Sequence, residues 1–393
     1  MNILLAWELG SNFGHLARQI PIAGRLRENG HQPVFAVSDT MIAERLLAPH
    51  GFRFLQAPVP LAKPRLPVPP ASYSELLLAE GFHDPDALAG RVRAWLGLFE
   101  VIQPDAVLLD HAPTALLAAR LAGLFRTVFG TGFEIPPELS PYPCFRTWES
   151  IPDGRLVNSE RQVLASINAV LKIHGHPGQG VVHELFQGAS KALATLPELD
   201  HYGARAGERY LGPIYASLGG AQAEWPPGEG RRILAYLRAD VPGFQAMVNV
   251  LIAQTGPVML VAPNAPSAWI SRHASSHLSI HSSPVDIEPL LNSCDLGVSY
   301  GGNGTLSQFL LGGIPQIVMP KNAEQYLGGM RVQDAGAGIV VGRERNEPDI
   351  ARALAPVLTK SEYREASQSL AARCTEYSSI AAAHAVARLL ASR

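Results

Sequence analysis

The sequence predicts an α/β protein that contains two doubly wound parallel sheets, and two observations support this. Short apolar runs alternate with segments in which apolar residues recur at helical spacing, both at the start of the chain and in its second half. The chain has 393 residues, which is too long for one hydrophobic core, so two domains of about 200 residues each are expected. We therefore expect two Rossmann-like domains.

The first half opens with a strand, a helix and a second strand. Residues 2–6 are apolar, residues 15–28 carry apolar side chains at helical spacing before Gly30, and residues 33–37 are apolar again. Residues 57–72 contain six prolines and are predicted to form an exposed loop. Further strands are predicted at 104–110, 127–131 and 192–199, and a further helix at 114–122.

The second half continues the same alternation. Residues 216–231 are rich in Gly, Ala and Pro, as a linker would be, and residues 378–390 predict an alanine-rich amphipathic helix. The strands predicted between them are residues 232–237, 257–262, 278–281, 296–299, 316–319 and 339–341.

Composition excludes several classes of protein. The 32 basic and 34 acidic residues leave no broad basic face for nucleic acid. Cys144, Cys294 and Cys374 are odd in number and far apart, which indicates neither a disulfide framework nor a zinc site and favours a cytoplasmic location. Residues 1–7 lack a basic leader and run into Glu8, so they predict a strand and not a signal peptide. No apolar run reaches the roughly 18 residues of a membrane-spanning helix.

A glycine-rich turn follows the predicted strand 296–299. Gly301, Gly302 and Gly304 let the backbone approach a ligand closely, and Thr305 then begins a helix whose first amides favour a phosphate. Neither an ATPase P-loop nor a plain dinucleotide fingerprint is present. The spacing alone is equally compatible with a tight strand-to-helix connection that binds nothing.

The residues around this turn resemble the donor-binding signature of GT-B glycosyltransferases of the UDP-glycosyltransferase type, known as glycosyltransferase family 1. That signature reads His-Gly-Gly-x-Gly-Thr, then Gly-x-Pro, then Pro-x-x-x-Asp-Gln. The matching residues here are Tyr300, Gly301, Gly302, Asn303, Gly304 and Thr305, then Gly313 and Pro315, then Pro320, Glu324 and Gln325.

Three positions depart from that pattern. Tyr300 stands where the family has a histidine that contacts the diphosphate, and Glu324 stands where the family has an aspartate that contacts the sugar. Gln308 stands where many members have a glutamate on the ribose hydroxyls. Each replacement keeps hydrogen-bonding capacity but changes reach or charge, so nucleotide-sugar binding is expected while the sugar stays open.

The resemblance implies how the domains are arranged. It predicts an acceptor-binding domain at 1–208, a linker at 209–231, a nucleotide-sugar-binding domain at 232–375 and a C-terminal helix at 376–393 that packs back on the first domain. The two sheets are then expected to face one another across a cleft. The start of the chain also resembles the family in its two Gly-His pairs, at residues 14–15 and 30–31, although Pro21 lies later than the family's proline.

Sugar transfer needs a base for the acceptor hydroxyl, and His15 is the first candidate. An imidazole titrates near neutral pH and accepts a proton readily when a carboxylate holds its other nitrogen. Asp110 ends a predicted strand, where ligands of such sheets gather, and the resemblance assigns this pairing to a histidine and an aspartate of the first domain. His111 is a rival base, and a structural role for His15 at a helix start is the alternative.

Arg238 follows the first strand of the second sheet and is a candidate phosphate ligand, or alternatively a solvated strand-end residue.

No metal site is predicted. The motif at residues 84–86 imitates a metal-binding Asp-x-Asp but precedes an apolar helix, which favours a helix cap. His273 and His277 are spaced as helical metal ligands are, yet a surface loop fits their context better.

These observations predict an inverting, metal-independent glycosyltransferase without a cofactor. A glutamate-rich motif of retaining enzymes is absent from residues 299–308, which favours inversion. The donor is predicted to be a UDP- or dTDP-sugar, and the apolar and aromatic residues of 57–72 and 132–148 favour a small lipophilic or aromatic acceptor. A nucleotide-sugar binder without transfer activity, and an epimerase or hydrolase on the same fold, are the alternatives. The oligomeric state is not indicated.

Overall fold

The computed structural model describes residues 1–10, 13–61, 63–64, 66–215, 221–263 and 265–392. The chain divides into two compact units. Unit 1 comprises Met1–Ala194, Gly207–Tyr215 and Ser379–Arg393, and unit 2 comprises Thr195–Ala206 and Ala216–Ser378. Residues 216–220 of the predicted linker, residues 62 and 65 of the proline-rich loop and residues 11–12 of the first turn lie outside the described residues.

Unit 1 is built on one parallel sheet of six strands. The strands are β1 (Asn2–Trp7), β2 (Gln32–Val37), β3 (Arg53–Gln56), β4 (Ala106–Asp110), β5 (Phe125–Gly130) and β6 (Ser190–Leu193), in the order β3-β2-β1-β4-β5-β6. The α-helices of unit 1 that precede β6 are α1 (Gly14–Glu28), α2 (Thr40–Leu46), α3 (Tyr73–Leu77), α4 (Pro85–Ile102), α5 (Pro113–Leu121) and α6 (Asp153–Ile173). The order reverses at β1 and β4, as in doubly wound sheets.

The central strands of unit 1 are buried on both faces. Ile3 and Leu5 of β1 pack into one hydrophobic cluster, whereas Leu4 and Ala6 pack into another on the opposite face. This explains why β1 is a continuous apolar run without alternation.

Unit 2 repeats this architecture. Its six-stranded parallel sheet has the order β10-β9-β8-β12-β13-β14, and β7 pairs separately with β11. The strands are β7 (Ala221–Gln222), β8 (Ile233–Tyr236), β9 (Val258–Val261), β10 (Leu278–His281), β11 (Val285–Asp286), β12 (Leu296–Ser299), β13 (Gln316–Val318) and β14 (Gly338–Val340). The helices are α7 (Phe244–Ile252), α8 (Ser267–His273), α9 (Glu288–Leu291), α10 (Asn303–Leu311), α11 (Ala323–Asp334), α12 (Glu347–Thr359) and α13 (Ser361–Arg373).

The last helix, α14 (Ser379–Ala391), is part of unit 1 and packs against α1. Its apolar face, which includes Val386, Ala387 and Leu390, joins the same buried cluster as Leu16 of α1. Burying a valine or leucine side chain contributes about 1.5–3 kcal/mol each, which is the physical reason for the return of the chain to this unit.

The predicted fold class, α/β with two Rossmann-like parallel sheets, is confirmed. The strand predicted at 192–199 is wrong beyond Leu193, because Pro197 fixes its own backbone and begins a 3₁₀ turn, Pro197–Leu199. Thr195–Ala206 belongs to unit 2 and Gly207–Tyr215 to unit 1, so the chain enters unit 2, returns to unit 1 and enters unit 2 again where the sequence predicted a single linker. Among the described residues, no helix combines the length and the apolar character needed to cross a bilayer.

Candidate functional site

The structure brings His15 and Asp110 together at the carboxyl edge of the unit 1 sheet. His15 is the second residue of α1, and Asp110 is the last residue of β4, which pairs with β1. The Nδ1 atom of His15 lies 2.8 Å from the Asp110 Oδ1 atom. Asp110 is fully buried, and His15 stacks on the Trp7 ring with a centroid distance of 5.3 Å. An ionised carboxylate only accepts hydrogen bonds, so Nδ1 donates and Nε2 keeps its lone pair.

Arg18 holds the same carboxylate from the next turn of α1. Its Nε donates to Asp110 Oδ2 at 3.0 Å, and its Nη2 donates to Oδ1. Gln19 adds a bond from Nε2 to Oδ2 at 2.9 Å. Together with His15, these donors use all four acceptor positions of the carboxylate, which fixes its plane and therefore the direction of the imidazole.

Glu134 completes this group of charged residues, hereafter the base cluster of His15, Arg18, Asp110 and Glu134. It follows β5, the neighbour of β4, and its Oε1 accepts from Arg18 Nη2 at 2.7 Å. Its Oε2 accepts from the backbone N and from Oγ1 of Thr131, at 2.8 and 3.0 Å. Glu134 is therefore anchored to the strand end, and it is almost completely buried.

Opposite charges in the base cluster stabilise one another's ionised forms. Burial raises the pKa of the Asp110 carboxyl, but the charges of Arg18 and His15 outweigh burial and hold it below its usual value. Glu134 behaves in the same way: burial opposes ionisation, and Arg18 lowers its pKa well below the usual range. Burial lowers the pKa of Arg18, but the two carboxylates outweigh burial and raise it. Both acids are thus ionised and the guanidinium is charged.

His111, the rival base, lies beside the base cluster but in a different state. Burial is the main cause that lowers its pKa to about 4, so it is neutral at physiological pH. Its ring centroid is 6.3 Å from that of His15, and its carbonyl oxygen accepts from the Leu9 backbone N at 3.0 Å. A group with such a low pKa accepts protons poorly at neutral pH, which favours His15.

Glu8, immediately after β1, is a further buried acid at this edge. Its carboxylate accepts from the backbone N atoms of Thr114 and Ala115, at 2.9 and 2.8 Å, at the start of α5. Burial is the main cause that raises its pKa to about 7. Glu8 therefore caps a helix and changes charge near neutral pH.

The Nε2 atom of His15 faces Gly10. A Cβ atom at Gly10 would lie 2.2 Å from Nε2, and Gly10 has φ +87°, which L side chains rarely adopt. A side chain at this position would therefore collide with the imidazole at Nε2.

Oxygen and nitrogen atoms of His15, Asp110 and Glu134 lie within 4.8 Å of one another, a spacing that a metal ion can use. Arg18 already donates to both carboxylates. The cation of the base cluster is therefore a guanidinium, whose charge would repel a metal ion at the same place.

In unit 2 the glycine turn joins β12 to α10. Gly301 has φ +87°, and its backbone N donates to Ser299 Oγ at 3.1 Å. The first bond within α10 runs from Leu306 N to the Gly302 carbonyl at 3.0 Å, so the amides of 303–305 precede the hydrogen-bonded ladder. This is the arrangement of a helix start that binds an anion.

The two glycines have different reasons to lack side chains. A Cβ atom at Gly301 would lie 2.9 Å from the Gln325 carbonyl oxygen, so the backbone of α11 packs directly on the turn. The nearest atoms to a Cβ atom at Gly302 would belong to the Tyr300 side chain, the first at 3.2 Å. Gly302 therefore exposes the helix start, whereas Gly301 is required by packing.

Charged residues follow β8 and β13, the two strands that pair with β12. Arg238 Nε donates to Asp240 Oδ1 at 3.0 Å, and Lys321 Nζ donates to Asp240 Oδ2 at 2.5 Å. Burial raises the pKa of Tyr300, and the charges of Arg238, Glu324 and Asp240 also act on it. Arg238, Glu324 and Asp240 therefore lie close enough to Tyr300, the residue at the position of the family histidine, to act on its pKa.

Three of the remaining predicted donor residues form hydrogen bonds near the turn. Gln325 Oε1 accepts from the Lys321 backbone N at 2.8 Å, and Gln308 Nε2 donates to the Gly304 carbonyl at 3.3 Å. Asn303 Nδ2 donates to Thr195 Oγ1 at 3.1 Å. Glu324 lies half-buried in the first turn of α11.

The two metal-like motifs have structural roles. Asp84 Oδ1 accepts from the backbone N atoms of Asp86 and Ala87, at 3.0 and 3.1 Å, which confirms the predicted helix cap. His273 stacks on Trp269 at the end of α8, and His277 Nε2 contacts the Ile252 carbonyl at 3.1 Å.

Sequence reasoning missed Arg18, Glu134, Asp240 and Lys321. Arg18 follows His15 by three residues, a spacing that places both side chains on one face of a helix and could have indicated the pair. Glu134 stands in an irregular stretch, 116 residues from Arg18. No local pattern marks it.

Comparisons with known proteins find one matching family model and several related glycosyltransferases. Residues 280–387 match the model of the erythromycin biosynthesis protein CIII-like C-terminal domain. A PGL/p-HBAD biosynthesis glycosyltransferase of Mycobacterium tuberculosis is 26% identical over 342 residues, which cover 81% of this chain and 79% of that protein. A PGL/p-HBAD biosynthesis rhamnosyltransferase of Mycobacterium bovis is 26% identical over 307 residues, which cover 74% and 68%.

Among solved structures, the spinosyn rhamnosyltransferase SpnG complexed with thymidine diphosphate superposes with a TM-score of 0.67 at 18% identity, covering 99% of this chain and 100% of SpnG. SpnG is also known in complex with the spinosyn aglycone. The fold is therefore GT-B. The chain is a glycosyltransferase, and it resembles the UDP-glycosyltransferase type as its sequence predicts.

Proposed function

We propose that this glycosyltransferase moves a sugar from a UDP- or dTDP-sugar to a small lipophilic or aromatic acceptor, with inversion and without a metal ion. The observation that carries the proposal is the 2.8 Å contact between His15 Nδ1 and Asp110 Oδ1. It orients a histidine as a general base and leaves Nε2 free to accept a proton.

The reaction is a single displacement. Nε2 of His15 takes the proton of the acceptor hydroxyl, and the acceptor oxygen forms a bond to the anomeric carbon of the donor. The bond from that carbon to the diphosphate oxygen breaks, and the nucleoside diphosphate leaves with the electron pair. Attack from the face opposite the leaving group inverts the anomeric centre. Asp110 stabilises the imidazolium that forms.

The leaving diphosphate is assigned to the glycine turn of unit 2. The amides of 303–305 and the positive end of α10 favour an anion. Arg238 and Lys321, both held by Asp240, add positive charge at the ends of the two neighbouring strands. The complex of SpnG with thymidine diphosphate supports a nucleoside diphosphate as the ligand.

The proposal contains no metal ion or other cofactor because positive charge is already available from this chain. Asp240 is paired with two cations, and the carboxylates of the base cluster are paired with Arg18. The lipophilic or aromatic acceptor is supported by relatives named for PGL/p-HBAD biosynthesis and by a SpnG complex with an aglycone. A cytoplasmic location stays a prediction.

The test combines calorimetry and a transfer assay. Purified protein is titrated with UDP, dTDP and their sugars in the presence of EDTA, and the donor that binds is then incubated with a panel of phenolic and lipophilic alcohols. We expect binding without a metal and a glycoside of inverted configuration. A requirement for magnesium, retained configuration, or sugar release from the donor alone would contradict the proposal.

A further inference from the structure

The base cluster contains one charged pair more than a histidine and an aspartate need. We propose that Arg18 and Glu134 are positioning residues for the base: Arg18 fixes the plane of Asp110, and Glu134 offsets the positive charge that Arg18 brings. The inference rests on the proposed function of His15 as the base. Neither Arg18 nor Glu134 needs to touch the substrate.

Charge balance is the first reason. With neutral His15 the base cluster carries one positive and two negative charges, and it becomes neutral when His15 takes up a proton. If Arg18 were present without Glu134, the same proton would create a net positive charge in a site where Arg18, Asp110 and Glu134 are almost completely buried. Burying an unbalanced charge is costly, so Glu134 favours proton uptake by His15.

The hydrogen bonds of Arg18 give the second reason. Its Nη2 atom lies 3.0 Å from His15 Nδ1 and would donate to that atom if it had a hydrogen to spare. Nη2 has two hydrogens, and they are directed at Asp110 Oδ1 and Glu134 Oε1. Glu134 thereby accepts the hydrogen that would otherwise favour the ring form with its proton on Nε2. In that form Nε2 cannot accept the proton of the acceptor.

Other titratable groups lie on the strands and helices around His15. His111 follows β4 and is neutral above its low pKa, and Glu8 follows β1 and titrates near pH 7. The pKa values of Asp110, His111 and Glu134 depend mainly on burial and on the charges of the base cluster and of His111. The helices α2 and α14, which also pack on α1, carry Glu44, Arg45, His384 and Arg388.

The test measures the pH at which His15 titrates, by NMR of protein labelled in the histidine rings, with the His15 signal assigned from His15→Ala. Glu134→Gln removes one negative charge with little change in shape and should move the titration midpoint down by about one pH unit. Arg18→Met should move it up by about the same amount. The double variant restores the charge balance and should return the midpoint close to that of the wild type.

This pattern of opposite shifts that cancel separates positioning from a structural role, which would not produce it. Glu75→Gln is the matched control, because Glu75 is a buried acid of unit 1 held by two bonds from Arg155, at 2.7 and 2.6 Å. It should lower the thermal midpoint and leave the His15 titration unchanged. Should Arg18→Met fail to fold, the downward shift in Glu134→Gln still tests the inference.

The acid limb of the pH profile of kcat/KM should follow the NMR midpoints in each variant. Shifts in one direction for both single variants, or a double variant that does not recover, would overturn the inference. If the shifts appear but His15→Ala transfers sugar normally, the proposed function fails while the charge balance stands. If His15→Ala is inactive but Glu134→Gln titrates like the wild type, only the inference fails.

Discussion

The two candidate sites differ in the part of the polypeptide from which they are built. The base cluster of unit 1 consists of side chains from α1, β4 and the segment after β5, joined by contacts between residues 92 to 116 positions apart. The turn of unit 2 is built mainly from backbone, where packing requires glycine at Gly301 and the absence of a side chain at Gly302 exposes the helix start. A backbone site is sensitive to added atoms, whereas a side-chain site is sensitive to charge.

The largest effect is expected from adding a side chain to the turn. Gly302→Val places atoms over the first amides of α10 without backbone strain, because Gly302 has φ −65°. Loss of two or more charge-assisted hydrogen bonds, each contributing about 1.5–3 kcal/mol, should weaken nucleoside diphosphate binding by about a hundredfold or more. Calorimetry measures this, with Gly342→Ala as control because a Cβ atom there meets open space. Unchanged affinity would move the donor site elsewhere.

Gly10, the glycine next to His15 of the base cluster, should respond to an added side chain in a similar way. Gly10→Ala brings a Cβ atom to 2.2 Å from His15 Nε2, so the ring must move away from the path of the acceptor. Turnover should fall by about a hundredfold, the lower end of what general base catalysis contributes, while nucleoside diphosphate affinity stays constant. Gly24→Ala within α1, where a Cβ atom has open space, should retain activity. Normal turnover in Gly10→Ala would mean that Nε2 does not meet the acceptor.

This difference also explains what the sequence could predict. Glycines and the strand before them are local patterns, so the turn at 301–305 and the alternation of strands and helices were predictable. Asp110 was predictable because it ends an apolar strand. Glu134 was not, since its place beside Arg18 depends on the order β1-β4-β5, which brings distant strand ends together. The strand predicted at 192–199 ends earlier in the structure, because the prediction followed the apolar pattern and did not take Pro197 into account.

Stability should depend on pH through two buried groups of unit 1. The pKa of Glu8 is raised from 4.5 to about 7, so the folded state binds more protons than the unfolded state in this window, and Glu8 makes unit 1 less stable as pH rises through it. The pKa of His111 is lowered from 6.5 to about 4, so His111 makes unit 1 less stable as pH falls through that window. The two contributions oppose one another between about pH 4.5 and 6.5.

Replacing Glu8 by glutamine should remove the contribution of Glu8 to the pH dependence of stability. Between pH 5 and pH 8, the free energy of unfolding of Glu8→Gln should improve relative to the wild type by up to about 3 kcal/mol. The free energy of unfolding of His111→Asn should improve relative to the wild type as pH falls below 6.5. Asparagine tolerates the φ of +45° at this position. Urea denaturation at several pH values measures both. Parallel pH profiles for the wild type and both variants would contradict these pKa directions.

The smallest effect is expected from a charged side chain beside the turn. Lys321 is 46% exposed and already paired with Asp240, so solvent screens its charge. Lys321→Met should weaken nucleoside diphosphate binding by about tenfold or less, and added salt should reduce the difference. Lys360→Met is the control, because Lys360 forms an exposed pair with Glu362 on another helix of unit 2. Equal affinity for wild type and Lys321→Met at low salt would exclude Lys321 as a phosphate ligand.

The central claim is that His15 is the base and that Asp110 orients it. The most direct measurement is single-turnover sugar transfer by His15→Ala, Asp110→Asn and the double variant, with nucleoside diphosphate affinity determined in parallel. His15→Ala should reduce transfer by about 10²- to 10⁴-fold with affinity nearly intact, and the double variant should be scarcely worse, because the two residues act as a unit. Full transfer by His15→Ala, or losses that multiply in the double variant, would contradict the account.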